Sequence, residues 1–254
     1  MSIAEKVTTI AENQEKVYDA GYEKGKLEGG AGDSWYDTFW DSFQDNGNPD
    51  GRRYSYAFYY WNRDMFYPKY DIKCINNMAG LFQFFEQNGS VPFDLSARLK
   101  ECGVVLDTSK ATTGAAYSFY YTSFSKIPTV DFTGITDLEK LTYAFANNGH
   151  LVEIEKVICK ETNVWHVTFA GCPKLEKITI EGVIGQNGLD MRPCPKLTHD
   201  SMINDKGTGI INCLKDYSDD TSGTQWVVQL GATNLGKLTE AEIAIATEKG
   251  WSLT

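Results

Sequence analysis

Near the start of the chain, Ile3, Val7, Ile10, Gln14 and Val17 follow one another at steps of four, three, four and three. This is a heptad seam with one polar member, in a stretch rich in Ala, Glu, Lys and Gln, and it predicts a helix over residues 1–28. A surface helix packed on its own domain would also carry apolar positions. A stripe this narrow suits a partner helix better than a broad core, so the five residues are the candidate oligomerisation seam. Gly29, Gly30, Ala31, Gly32 and Asp33 then end the helix and supply a hinge.

The pattern changes at Trp35. Between Trp35 and Tyr70 stand 14 of the chain's 33 aromatic residues. Trp35, Tyr36, Phe39, Trp40 and Phe43 recur at helical spacing behind a cap at Asp33 or Ser34. The stretches Tyr54 to Trp61 and Phe66 to Tyr70 alternate only in part. Two readings compete for residues 29–70: a compact aromatic cap on whatever follows, or a platform that stacks sugar rings or contacts a partner protein. The cap is favoured because exposing so many rings would leave an aggregation-prone patch. If contact residues do come from this block, Tyr59, Trp61 and Tyr67 are the candidates. The run Asn46 to Gly51 follows the opening of a calcium loop, but its twelfth position is Ala57 and Pro49 interrupts it, so it reads as a turn.

An internal repeat organises the second half. Tyr117-Ser-Phe119 precedes Phe124, Ile127 and Val130; Tyr143-Ala-Phe145 precedes Leu151, Ile154 and Val157; Val167-Thr-Phe169 precedes Leu175, Ile178 and Ile180. The Phe-to-Phe steps are 26 and 24 residues, and Cys-Pro-Lys-Leu recurs 22 residues on, at Cys172 and Cys194. Such lengths suit a leucine-rich-repeat solenoid, in which each turn of chain has an apolar face that only its neighbour can cover. Weaker echoes at Met78 to Phe85 and Cys102 to Leu106 place the start near Tyr70, whereas Gly182 to Met191 interrupts the ladder as an insertion. Thr198 to Tyr217 reads as helical, at least from Ile210, and Trp226 to Leu230 as a strand. Thr239-Glu-Ala-Glu242 is a capping box for a helix that stops at Gly250 before a last strand, Trp251 to Leu253. The expected class is thus α+β: an oligomerisation or attachment helix (1–28), a hinge and aromatic cap (29–70), a leucine-rich-repeat-like solenoid (71–230) and an α/β C-terminal cap (231–254).

Charge removes some partners. Lys and Arg total 24 against 34 Asp and Glu, a formal charge of -10 that repels a phosphate backbone, so no nucleic acid is expected. No window reaches eighteen apolar residues and the N-terminus lacks a basic flank and apolar core, so neither a membrane span nor a classical signal peptide is expected. The six cysteines, Cys74, Cys102, Cys159, Cys172, Cys194 and Cys213, form no CxxC pair and read as buried thiols. Cys159, His166 and Cys172 could be drawn as a metal cluster, but their gaps fit the repeat length better. No GxSxG elbow, phosphate loop or supported carboxylate pair is present; Asp137 with Glu139, and Asp219 with Asp220, sit in polar turns. An enzyme is disfavoured, and no metal or cofactor is expected.

These residues carry a resemblance. Tyr143-Ala-Phe-Ala-Asn-Asn-Gly-His-Leu151 and Val167-Thr-Phe-Ala-Gly-Cys-Pro-Lys-Leu-Glu-Lys-Ile178 resemble the BspA-like class of bacterial leucine-rich repeats. The closing segment, Leu230 to Trp251, is similar to the terminal cap of such proteins in tailed phages and prophages of gut Firmicutes, and Ile3 to Lys26 to a leader found there ahead of varied domains. The resemblance implies a non-enzymatic virion protein of the phage tail, made in the bacterial cytoplasm, that attaches through its leader and turns a binding module outward. Its partners would be a protein or cell-surface glycan together with other virion proteins. A homo-oligomer is expected, with a trimer preferred by analogy with fibres and weak contacts strengthened by multivalency. The alternatives are a structural decoration or assembly protein of the virion, and an intracellular phage protein that occupies a host defence protein.

Overall fold

The computed structural model describes residues 57–86, 91–135, 141–165, 167–186 and 188–254. The seam residues Ile3, Val7, Ile10, Gln14 and Val17, the glycine hinge, the first aromatic helix, the calcium-like turn, Asp137, Glu139 and His166 lie outside them. In chain order come β1 (Ile72–Asn76), β2 (Phe93–Asp94), α1 (Leu95–Cys102), β3 (Leu106–Ala111), β4 (Phe124–Ile127), β5 (Val130–Asp131), β6 (Glu153–Cys159), β7 (Lys177–Gly182), α2 (His199–Met202), β8 (Trp226–Val228), α3 (Ala232–Leu235), α4 (Glu240–Glu248) and β9 (Trp251–Leu253).

All the strand pairings among these elements are parallel: β1 with β3, β2 with β4, β4 and β5 with β6, β6 with β7, and β8 with β9. Parallel neighbours cannot be joined by a tight hairpin, so the chain must travel around before it lays one paired strand beside another. β4 and β5 are two halves of one line against β6, parted by Pro128, which has no N–H for the ladder. The lateral register sets Ile127 beside Ile154 and Ile154 beside Ile178; one step further, Val130 lies beside Val157 and Val157 beside Ile180. These are the positions that the sequence repeat aligns. All of them are buried.

On the returning segments, one phenylalanine per turn points inward. Phe58 stacks on Phe82 at 4.9 Å, Phe82 on Phe119 at 5.5 Å, Phe119 on Phe145 at 5.4 Å and Phe145 on Phe169 at 5.5 Å, with ring planes within 21° of parallel. Each buried ring contributes about 2 kcal/mol through lost water contact. Among the described residues Phe58 is the first ring of this column, and it lies before residue 71, inside the expected cap.

Polar side chains tie turn to turn beside the rings. Asn148 Nδ2 donates to the Phe119 carbonyl at 2.6 Å and the Cys172 thiol to the Phe145 carbonyl at 3.0 Å. The Cys194 thiol points at the Phe169 carbonyl at 3.9 Å, and Asn234 Nδ2 donates to the Cys194 carbonyl at 3.1 Å. All six cysteines are free thiols; Cys102 is half-buried and the other five are buried.

The C-terminal elements follow local signals. Thr239 caps α4 in a complete capping box, and Gly250 takes φ +83° before β9 pairs with β8. The helical expectation from Ile210 to Tyr217 is not met: helix is confined to α2, and Ile210 to Cys213 form tight turns. The apolar spacing there serves another purpose. Leu214 bridges in parallel to Ile184, and Lys215 N donates to the Ile184 carbonyl at 2.9 Å, so the segment continues the stacking past Gly182. Among the described residues, no helix is long and apolar enough to cross a membrane.

Candidate functional site: an aromatic surface on the stacked turns

The backbone beside each inward phenylalanine is left-handed. Two residues before and after Phe82, Phe119, Phe145 and Phe169 stand Gly80 and Phe84, Tyr117 and Tyr121, Tyr143 and Asn147, and Val167 and Gly171, all with φ between +47° and +73°; Tyr60, two residues after Phe58, has φ +57°. For an L-residue this conformation costs roughly 1–2 kcal/mol, which is why glycine and asparagine usually occupy it. Hydrogen bonds between turns hold it in place. Phe84 N donates to the Tyr120 carbonyl at 3.0 Å, Tyr121 N to Ala146 at 3.0 Å and Asn147 N to Ala170 at 2.6 Å.

This geometry turns the flanking side chains away from the core. Phe58, Phe82, Phe119 and Phe145 are fully buried, whereas Tyr60 is 51% and Tyr121 41% exposed. The outward rings touch one another. Tyr60 stacks on Phe84 at 5.2 Å, and Phe84 meets Tyr121 at 5.8 Å and Tyr120 at 5.7 Å. Tyr117 stacks on Tyr143 at 5.3 Å, while Tyr120 bridges both groups, 5.2 Å from Tyr117 and 6.0 Å from Tyr143. The Tyr120 hydroxyl accepts from Asn147 Nδ2 at 3.0 Å. At Gly171 a side chain is excluded: a Cβ would lie 2.5 Å from Asn147 Oδ1, so the outward column ends there.

Of the contact candidates read from sequence, Tyr59 and Trp61 are buried, at 4% and 9% exposure, and have no open face for a ligand. Tyr59 instead supports Tyr60 and Phe84 at 4.4 and 5.4 Å. Tyr67 is 46% exposed, but the Arg98 guanidinium covers its ring at 3.9 Å, and that cation is fixed by donating to the Arg63 and Phe66 carbonyls. The six outward aromatics were missed. The repeated Tyr-x-Phe and Phe-x-Tyr spacing is the signal for Tyr60, Tyr117, Tyr121 and Tyr143, once it is known that the turn alternates in handedness; it does not mark Phe84 or Tyr120.

The sheet offers a different surface. Lys126 pairs with Glu153 and Glu155 at 3.4 and 3.0 Å, and Lys156 with Glu181 at 2.7 Å, across neighbouring strands. Such half-exposed pairs add little stability and have already satisfied one another. A partner would gain less there than on the tyrosines, which combine apolar ring faces with hydrogen-bonding hydroxyls.

Burial also decides the chemistry of the thiols. It pushes Cys159 and Cys172 up to about 12 and Cys213 to about 11, so all three stay protonated at neutral pH, the form that is neither nucleophile nor metal ligand. No three His, Cys, Asp or Glu side chains converge to hold a metal among the described residues. Among the described residues, parallel strands and a column of buried phenylalanine rings adjoin an outer group of tyrosines with Phe84. No family model, curated protein or solved structure matches this chain.

Proposed function

We propose that this chain is a non-enzymatic binding module of leucine-rich-repeat type, that its contact face is the aromatic surface around Tyr120, and that it serves as a tail-associated virion protein of a phage or prophage. One observation carries the contact face. Tyr60, Phe84, Tyr117, Tyr121 and Tyr143 occupy left-handed backbone where glycine or asparagine would be less strained. Two of them, Tyr60 and Tyr121, are exposed and three are half-buried, and strain kept at aromatic positions that reach the surface is a signature of use, because stability alone favours the smaller residue. Rigid tyrosines give a large amphipathic contact area at little cost in side-chain entropy, which suits a protein epitope or a sugar ring. The virion role rests on the resemblance of the leader, repeats and cap described above; several copies held together would make weak contacts avid.

The test pairs Tyr60→Asn with Tyr121→Asn. Asparagine accepts left-handed backbone, so melting should be unchanged or slightly raised, while retention of fluorescent full-length protein on gut Firmicutes cells should fall at least tenfold. Undiminished retention would remove the aromatic surface from the mechanism. Mass spectrometry and immunogold labelling of the phage particles test the location separately: gold at the tail is expected, and absence of the chain from particles would refute the virion role.

A further inference from the structure

The segment from Lys215 to Trp226 walls an open cleft of about 500 Å³, within the size range of small-ligand pockets. Tyr217 and Trp226 lie face to face in it, with ring centroids 3.8 Å apart and planes 3° from parallel. Both rings are fixed without a ligand. The Trp226 indole N–H donates to Asp220 Oδ2 at 2.7 Å, Tyr217 N donates to the Lys249 carbonyl at 2.8 Å, and the Tyr217 hydroxyl donates to the Gly185 carbonyl. Trp251 leans on the pair at 5.8 and 5.6 Å and is itself held by donating to the Lys215 carbonyl at 2.7 Å.

The charge around the rings is one-sided. Asp216, Asp219 and Asp220 line the cleft, against Lys215 alone. Lys215 is neutralised from outside it by Glu161, at 2.9 Å. Asp216 and Asp220 accept from the Ser218 and Ser222 backbone N–H groups, which hold both carboxyls below the usual range and keep them ionised. Asp219 has no partner among the described residues. The rings already take a cation from within the chain, since Lys215 Nζ lies 5.2 Å from the Tyr217 centroid.

We propose that this cleft binds an organic cation, an alkylammonium or guanidinium group presented by a partner peptide or by a free polyamine. A ring face turned away from the stack of Tyr217 on Trp226, beside carboxylates that pair with no side-chain cation among the described residues, matches such a group in both respects: the negative ring face attracts the cation and the carboxylates add their charge. A neutral sugar would use the rings and leave the charge unmatched, and an anion is repelled.

The test follows the Trp226 indole N–H signal of 15N-labelled full-length protein, assigned with Trp226→Phe, at constant ionic strength. The probes are Nα-acetyl-lysine methylamide, spermidine and, as the neutral control, glucose. Both amines should shift the signal saturably and glucose should not; tighter binding of the lysine amide supports a peptide source, and tighter binding of spermidine a polyamine. Asp219→Asn removes a carboxylate that holds nothing in the protein, so it should weaken amine binding about fivefold and leave melting unchanged. A signal moved by glucose alone, by no probe, or equally by amines in Asp219→Asn and the parent chain would overturn the proposal.

Discussion

Asn148 is where the stacking of turns can be tested with a single substitution. It is fully buried and makes four hydrogen bonds: its Oδ1 accepts from the Thr122 backbone N–H and hydroxyl at 2.7 and 2.9 Å, and its Nδ2 donates to the Phe119 and Phe145 carbonyls at 2.6 and 2.8 Å. Asn148→Ala orphans the Thr122 N–H and the Phe119 carbonyl where two successive turns meet; the Phe145 carbonyl keeps the Cys172 thiol and the Thr122 hydroxyl can rotate elsewhere. At roughly 1–3 kcal/mol per orphaned group, reduced by any water that enters, the loss should be about 2–4 kcal/mol. That is a large share of the roughly 5–15 kcal/mol available to a domain. Urea unfolding followed by circular dichroism measures it, with an unchanged slope showing that the unfolded state is the same. Asn148→Asp keeps the shape but faces an anion toward two carbonyl oxygens, which raises its folded pKa above the unfolded value of about 3.9. The sign follows: the variant should come closest to the parent below about pH 4 and lose up to about 1.4 kcal/mol per pH unit as the pH rises to the folded pKa. The neighbouring Asn147→Gly is the control. It removes one exposed bond to Tyr120 and relaxes a φ of +59°, so it should stay within about 0.5 kcal/mol of the parent. A loss below about 1 kcal/mol in Asn148→Ala, or a pH-independent Asn148→Asp, would refute the view that buried side chains lock one turn to the next.

Two further outcomes follow from the same packing. Gly182 has φ +116°, and a Cβ there would lie 1.9 Å from the Cys159 carbonyl oxygen, so Gly182→Ala should cost more than about 3 kcal/mol or prevent folding, read as loss of cooperative melting. The buried thiols predict alkaline lability. Their folded pKa values are raised, so their stabilising contribution is complete below about pH 8.5 and declines as pH rises from there toward 11 for Cys213 and 12 for Cys159 and Cys172, by about 1.4 kcal/mol per unit for each. Melting temperatures between pH 8 and 11 should fall accordingly, and Cys172→Ala should flatten the decline; a flat profile in the parent chain contradicts the assignment.

The parts of this fold that could be read from the sequence are those in which neighbouring residues carry their own cause. The α4 capping box needs only Thr239 and Glu242, and Gly250 ends the helix because it tolerates φ +83°. The lateral pairing of Ile127, Ile154 and Ile178 was visible because each occupies the same place in its repeat and each must be buried. Where apolar spacing admitted two causes, the local one was chosen wrongly: Ile210 to Leu214 has helical spacing, yet Leu214 is placed by Ile184, thirty residues earlier in the chain.

The aromatic surface was hidden for a related reason. Composition marks Tyr59, Tyr60 and Trp61 alike, and only backbone handedness separates them. Left-handed φ at Tyr60 turns its ring outward, while the Phe58 ring enters the inner column. That handedness is imposed by the next turn, because Tyr60 N and Phe58 N donate to the carbonyls of Gln83 and Leu81. No window of sequence shorter than one full turn of the stack contains both the residue and the group that orients it. The proposed contact face is then specified by the repeat as a whole, so a substitution that loosens stacking, such as Asn148→Ala, should also weaken the proposed binding at Tyr120 and Tyr121 without touching either ring.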